Sequence, residues 1–185
     1  MLRIRIICVG KLKEQFYTDA ANEYIKRLSG YCKPEIVEIP EYRLRVGGSS
    51  RSVAMGPGSG ISGSESSLEN TSGYSSQIAI ALQKERDTIM GNIPDGATTI
   101  ALCVEGRQID SQGLSDLINN YAGRGASRLC FIIGGSHGLH EDLKNSAALM
   151  LSMSKMTFPH NLARVMLLEQ LYRAFKITEG GKYHK

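Results

Sequence analysis

Short Ile- and Val-rich runs alternate along this chain with longer segments whose apolar residues recur every three or four positions, and that alternation leaves few folds open. Residues 2–9 form an apolar run stopped by Gly10, a strand feeding a turn. Leu12, Phe16, Ala20, Tyr24 and Leu28 then recur every four residues as the stripe of an amphipathic helix, with Gly30 at the cap position and Pro34 blocking continuation. Residues 35–39 alternate polar and apolar as a second strand, closed by Pro40. Ile78, Leu82, Glu85 and Ile89 lie on one helical stripe, and Pro94-Asp95-Gly96 signals a turn into a buried strand over 98–104. The polar turn Glu105-Gly106-Arg107 follows, then a helix capped by Asp110 or Ser111 that carries Leu114, Leu117, Ile118 and Tyr121 inward. A third central strand, 128–133, runs directly into Gly134-Gly135-Ser136-His137-Gly138 and a short helix through Leu143 and Ala147. The chain closes with a short strand near 149–153, a loop over 154–161 and an apolar helix from Leu162 to about Thr178. The pattern predicts an α/β sandwich around a mostly parallel sheet, with ligands at the carboxyl ends of the strands. Three loops compete for that role, after Val104, Ile133 and Met153.

With 185 residues, 42% hydrophobic and 22% charged, the chain fits a single domain over 1–185. The stretch 47–77 departs from this balance: 11 Ser and 7 Gly predict a flexible insertion that grades into the following helix. No apolar run approaches the roughly 20 residues of a membrane span, and the run 4–9 is too short for a signal sequence, so no membrane partner is expected. Cys8, Cys32, Cys103 and Cys130 show no CxxC spacing and read as reduced thiols, with no metal site expected. A net charge of +4 permits an RNA partner without establishing one, and the segment from Lys155 onward is more basic still.

Gly134-Gly135-Ser136-His137-Gly138 satisfies G-x-S-x-G between a strand and a helix, the setting of a serine-hydrolase nucleophile, with Glu169 and His184 or Asp142 and His160 as nominal partners. The same glycines equally suit a tight turn, or a loop whose backbone amides approach a cofactor. Neither Gly-x-Gly-x-x-Gly nor a Walker A sequence is present. The loop Met153-Ser154-Lys155-Met156-Thr157-Phe158-Pro159-His160 mixes apolar, hydroxyl and cationic groups, as an amphipathic cofactor requires, although a surface loop capping the core would look similar. On the last helix, Leu162, Val165, Met166, Leu168, Tyr172 and Phe175 exceed one stripe, which fits a subunit interface or a central core helix.

Several of these segments together resemble the RlmH (YbeA) family. They are Ile6-Ile7-Cys8-Val9-Gly10-Lys11-Leu12-Lys13-Glu14, Ile132-Ile133-Gly134-Gly135-Ser136, the loop from Leu151 through His160, Glu169-Gln170-Leu171-Tyr172-Arg173-Ala174-Phe175-Lys176-Ile177, and the closing Tyr183-His184-Lys185. The resemblance is collinear and spares only the Ser/Gly-rich stretch. It implies a SPOUT-superfamily homodimer whose C-terminal part is threaded into a trefoil knot, against the usual rule for folded chains. It further implies transfer of a methyl group from S-adenosylmethionine to N3 of a pseudouridine in large-subunit (23S-type) rRNA within the assembled ribosome, with no metal. By position, the cofactor would meet Leu102, Gly134, Gly135, Met153, Ser154, Lys155, Met156, Thr157 and Phe158. The resemblance assigns catalytic work to His184, Tyr183 and Arg173, with Glu105 a weaker candidate, and RNA contacts to Lys155, Arg164 and Lys185. A catalytically inactive RNA-binding module of the same fold is the alternative, ahead of a hydrolase using Ser136. The Ser/Gly-rich stretch replaces a more charged, helical region of bacterial members. The expected location is cytoplasmic, with the organelle matrix or stroma of a eukaryote as the alternative, although no transit peptide is read in the sequence.

Overall fold

A computed structural model describes residues 1–42, 44 and 66–180. Five strands and five helices alternate: β1 (Arg3–Val9), α1 (Gln15–Leu28), β2 (Lys33–Ile39), α2 (Ser66–Met90), β3 (Thr98–Gln108), α3 (Ser111–Gly123), β4 (Arg128–Ile133), α4 (Glu141–Ser146), β5 (Leu149–Ser152) and α5 (His160–Thr178). The strands form one sheet in the order β2-β1-β4-β3-β5, every pair parallel, as the alternation of elements predicts. The segment read as an insertion over 47–77 falls partly outside the described residues, and from Ser66 onward it is helical.

The sheet is buried on both faces. Ile4, Ile6 and Cys8 of β1 pack with Phe131 of β4 under α1, α3 and α5, while Ile7 and Val9 pack with Cys130 and Ile132 under α2 and α4. Alternate positions of each strand therefore serve opposite cores, and each fully buried Ile or Leu stabilises the fold by about 1.5–3 kcal/mol. Helix α5 lies against both α1 and α3, so its residues Leu167, Leu168, Leu171 and Ala174 are buried from several sides, as a central helix requires. Asp110 caps α3, its side chain accepting from the Gly113 amide at 2.7 Å.

Two expectations need correction. Phe16 is 63% exposed, whereas Ala21 and Leu28 are buried. A strict four-residue repeat advances 400° and drifts about 40° per step around a helix, so the stripe chosen from Leu12 to Leu28 leaves the buried face. Strand β3 also continues through the expected polar turn to Gln108. Leu102 and Arg107 both stand in register with Leu151 of β5, so the pairing of the two strands shifts register between them. Gly106 lies so close to β5 that a Cβ would sit 2.7 Å from the Met150 and Leu151 backbone, which forces glycine there.

Candidate active site

Because all five strands are parallel, their carboxyl ends share one edge of the sheet, and the loops leaving them gather there. At the end of β4 the chain reverses at once. Gly135 and Gly138 form an antiparallel bridge, the Gly138 amide donating to the Gly135 carbonyl at 3.1 Å, and Gly138 has φ +80°. A Cβ on Gly134 would come within 2.3 Å of the Gly138 carbonyl oxygen, so the turn closes only with glycine at 134. After β5, the Ser152 hydroxyl donates to the Ser154 carbonyl at 2.9 Å and the Met156 amide donates to the Ser154 hydroxyl at 3.0 Å, folding the loop on itself. Pro159 precedes α5, whose first residue, His160, places its ring against Gly10 at the end of β1.

These loops border one cleft of about 870 Å³. Its walls include residues 102–105, 133–139, 152–154 and 156–160, joined by Leu82 of α2 and by Glu141 and Lys144 of α4. Of the expected cofactor residues, Leu102, Gly134, Gly135, Met153, Ser154, Met156, Thr157 and Phe158 border it. Lys155 does not, although both its chain neighbours do, and its side chain is exposed.

Two carboxylates dominate the electrostatics of the rim. Glu41 Oε1 accepts both the Ser136 hydroxyl at 2.6 Å and the Ser136 amide at 3.0 Å, and these two donors hold the Glu41 carboxyl below its ordinary range. Tyr42, the next residue, donates its amide to Glu85 of α2 at 2.8 Å, where burial pushes the Glu85 carboxyl up. Glu41 escaped sequence reasoning, although it follows β2 closely and the rule that nominated the other three loops applies to β2 as well. On α4, the Lys144 ammonium meets Glu105 at 2.6 Å and Glu141 at 2.5 Å. That ammonium lowers the Glu105 carboxyl, which makes Glu105 a weak proton acceptor.

Among the described residues the hydrolase reading with Asp142 and His160 is not assembled, and His184 of the other pairing lies outside them. The Ser136 hydroxyl is bound to Glu41, Asp142 faces His140 and Arg86 rather than His160, and α4 begins only at Glu141. Among the described residues no imidazole is hydrogen-bonded to Ser136 to activate it.

Arg164 also differs from expectation. It is 1% exposed, donating Nη1 to Glu38 and Nη2 to the Gly10 carbonyl at 2.9 Å, so its guanidinium ties β1 and β2 to α5 and does not face an RNA phosphate. Arg173 lies on α5 away from the cleft lining and pairs with Glu169 one turn back at 3.0 Å. Tyr183, His184 and Lys185 lie outside the described residues. No group of His, Cys, Asp and Glu able to hold a metal occurs among the described residues, and no described helix is long and apolar enough to cross a membrane.

A family model described as "Predicted SPOUT methyltransferase" matches residues 2–184. Ribosomal RNA large subunit methyltransferase H of Clostridium botulinum (strain Alaska E43 / Type E3) is 43% identical over 184 residues, covering 100% of both chains. Among solved structures, a probable methyltransferase from Bordetella pertussis Tohama I matches with a TM-score of 0.53 at 14% identity over 94% of each chain, a likeness of fold alone.

Proposed function

The chain belongs to the SPOUT methyltransferase family, and from that premise we propose that it methylates N3 of a pseudouridine in large-subunit rRNA, taking the methyl group from S-adenosylmethionine and acting as a homodimer on the assembled ribosome. Its activity as an rRNA methyltransferase follows from full-length identity to a large-subunit rRNA methyltransferase. The observation that carries the cofactor part is the convergence of the glycine turn and the 153–158 loop on one cleft. Its volume, about 870 Å³, lies in the range of small-molecule sites.

The residues present fit such a cofactor. Leu102, Met153 and Phe158 offer apolar walls, Ser154 and Thr157 offer hydroxyls, and the tight turn that glycine at 134 permits borders the same cleft. When bound, S-adenosylmethionine supplies a methyl group on a sulfonium sulfur, already activated for attack. The chain's own residues must hold the base, exclude water and accept the N3 proton. Glu105 is ill suited to accepting that proton because Lys144 holds its carboxyl low. We assign the proton and the placing of the base to His184 and Tyr183, and phosphate contacts to Lys155 and Lys185; Arg173, away from this chain's own cleft, would stabilise developing charge only at the cleft of a second copy in the proposed homodimer. The homodimer would cover apolar side chains that the single chain leaves exposed, Phe16 of α1 among them. The resemblance extends to a trefoil knot in the C-terminal part, and the proposed fold includes it.

Assembled ribosomes incubated with methyl-labelled S-adenosylmethionine, digested and analysed as nucleosides, test this reading. Label should appear in N3-methylpseudouridine and disappear with His184→Ala, while calorimetry shows unchanged cofactor affinity. Label in another nucleoside would refute the substrate, and no saturable cofactor binding would refute the donor.

A further inference from the structure

At the edge of the sheet opposite the cleft, a second cavity of about 490 Å³ opens at the amino ends of β1, β2 and β4. Its cationic lining is Arg3, Arg5, Lys33 and Arg128, against the carboxylates of Glu35 and Asp95. Register places three of these cations in one row: Arg3 stands opposite Lys33 on β2 and opposite Arg128 on β4. Neighbouring strands are about 4.8 Å apart, and like charges directly opposite one another destabilise a sheet.

The rest of the same face relieves little of that repulsion. Two residues further along β1, Arg5 uses Nε and Nη2 on Glu35, at 2.9 and 2.8 Å, and Nη1 on the Asn92 carbonyl at 2.8 Å. Arg128 donates to the Asp95 main-chain carbonyl at 2.8 Å, which satisfies a donor without neutralising the charge. Arg3 and Lys33 are exposed, and their side chains have no hydrogen-bond or ion-pair partner among the described residues. One step beyond Arg5, this face becomes the apolar core of Ile7, Val9 and Ile132, so the cations begin where the cover of α2 ends at Met90. A lysine on edge strand β2 discourages pairing with other chains, but β1 and β4 are interior strands, and arginines there protect no edge.

We propose that this row is a second phosphate-binding site that seats the sugar-phosphate backbone of the RNA substrate, about 20 Å from the glycine-turn cleft by the length of a seven-residue strand. The inference rests on an RNA substrate as proposed above and adds a contact for it remote from the reacting base. Three cations in a row suit phosphate oxygens spaced along a strand, and guanidinium forks bind them bidentately. Such a contact carries affinity and register without touching the chemistry, so it belongs in KM rather than kcat.

The test uses the full-length protein with Arg3→Gln/Lys33→Gln, which removes two charges without breaking an interaction of either side chain. The control is Lys26→Glu, an equal change of charge on the exposed surface of α1. The double variant should raise KM for assembled ribosomes on the order of tenfold, with kcat within about twofold and calorimetric affinity for S-adenosylmethionine unchanged. The dependence of log affinity on log salt should become shallower by about 1.4, at ~0.7 per single-strand phosphate contact. Arg3→Lys should restore most of the loss caused by Arg3→Gln. An unchanged KM and salt slope, or an equal loss in Lys26→Glu, overturns the site. Saturable tripolyphosphate binding with an unchanged ribosome KM assigns the row to small polyphosphates and overturns the RNA contact. Ribosome binding that weakens in the double variant, by a wild type that transfers no methyl group, upholds the site and refutes the proposed activity instead.

Discussion

Replacing Gly134 by alanine should damage cofactor binding out of proportion to the one methyl group added. The new Cβ would lie 2.3 Å from the Gly138 oxygen and 2.5 Å from the Gly138 carbonyl carbon, both backbone atoms, so no flexible side chain can swing away. Relief requires the turn to open by roughly 0.7 Å or more, which stretches the Gly138-to-Gly135 hydrogen bond and their bridge. Overpacking of this kind costs about 1–3 kcal/mol, and a kilocalorie lowers Tm by about 2–4 °C in a chain of this size, so melting should fall by roughly 2–12 °C. If the free protein instead relaxes by opening the turn, a cofactor that needs the closed form must supply the same energy, weakening its Kd by roughly 5- to 150-fold. Calorimetric titration with S-adenosylmethionine reads the second quantity and scanning calorimetry the first. Gly138→Ala separates clash from backbone preference: no atom lies within 4 Å of its added Cβ, and only its positive φ is strained, at about 1–2 kcal/mol. Wild-type affinity and wild-type Tm in Gly134→Ala would refute the role given to this turn.

Arg164→Met should lower Tm by roughly 6–12 °C, because breaking a buried ion pair costs about 3–5 kcal/mol and Glu38, one-third exposed, keeps this to the lower end. A normal melt with a shallower salt dependence of ribosome binding would restore Arg164 to RNA. Glu41 is held below 4.5 in the folded chain, so its contribution to stability is complete above that value and is lost as pH falls through the lower folded one. Melts of wild type and Glu41→Ala should therefore differ at pH 6 and draw together as pH falls below the ordinary carboxylate range, and a difference that does not shrink with falling pH would contradict the ionic origin. Burial pushes the Cys8, Cys32 and Cys130 thiols up to about 12, so native protein at pH 8 should react with a thiol reagent first at Cys103, as peptide mapping would show.

The parts of this structure that were legible in its sequence are those whose signal is local. The Ile-rich run ending at Gly10 and the Asp110 cap each announce an element within a few residues. Parallel order then follows from alternation, and the parallel rule alone nominates the segments after Val104, Ile133 and Met153; the last two border the cleft as loops, whereas residues 102–105 border it from within β3. Phe16 was misplaced because a four-residue repeat is not the period of a helix. The continuation of β3 past Glu105 was illegible for a different reason: its partner is Leu151 on β5, and nothing in Glu105-Gly106-Arg107 tells that a distant backbone will lie against Gly106.

The polar contacts that hold the cleft are the least legible of all, and they share a physical logic. Ser136 binds Glu41 across 95 residues, Arg164 binds Glu38 across 126, and Lys144 binds Glu105 across 39. Each joins elements that are separated in the chain but meet at one edge of the sheet, where hydrophobic burial gives way to loops. Apolar packing is nondirectional and fixes helices on the sheet without fixing the loops beyond it. Hydrogen bonds to charged groups are directional, and at this edge they hold the loops in place. Glu41 fixes the glycine turn through Ser136, and Arg164 fixes the end of β1 through the Gly10 carbonyl. An arginine on an apolar helix reads as a solvated cation from spacing alone. Its burial here is explained by the two strand ends it joins, and the cost of desolvating it is met only because Glu38 and Gly10 arrive at the same place.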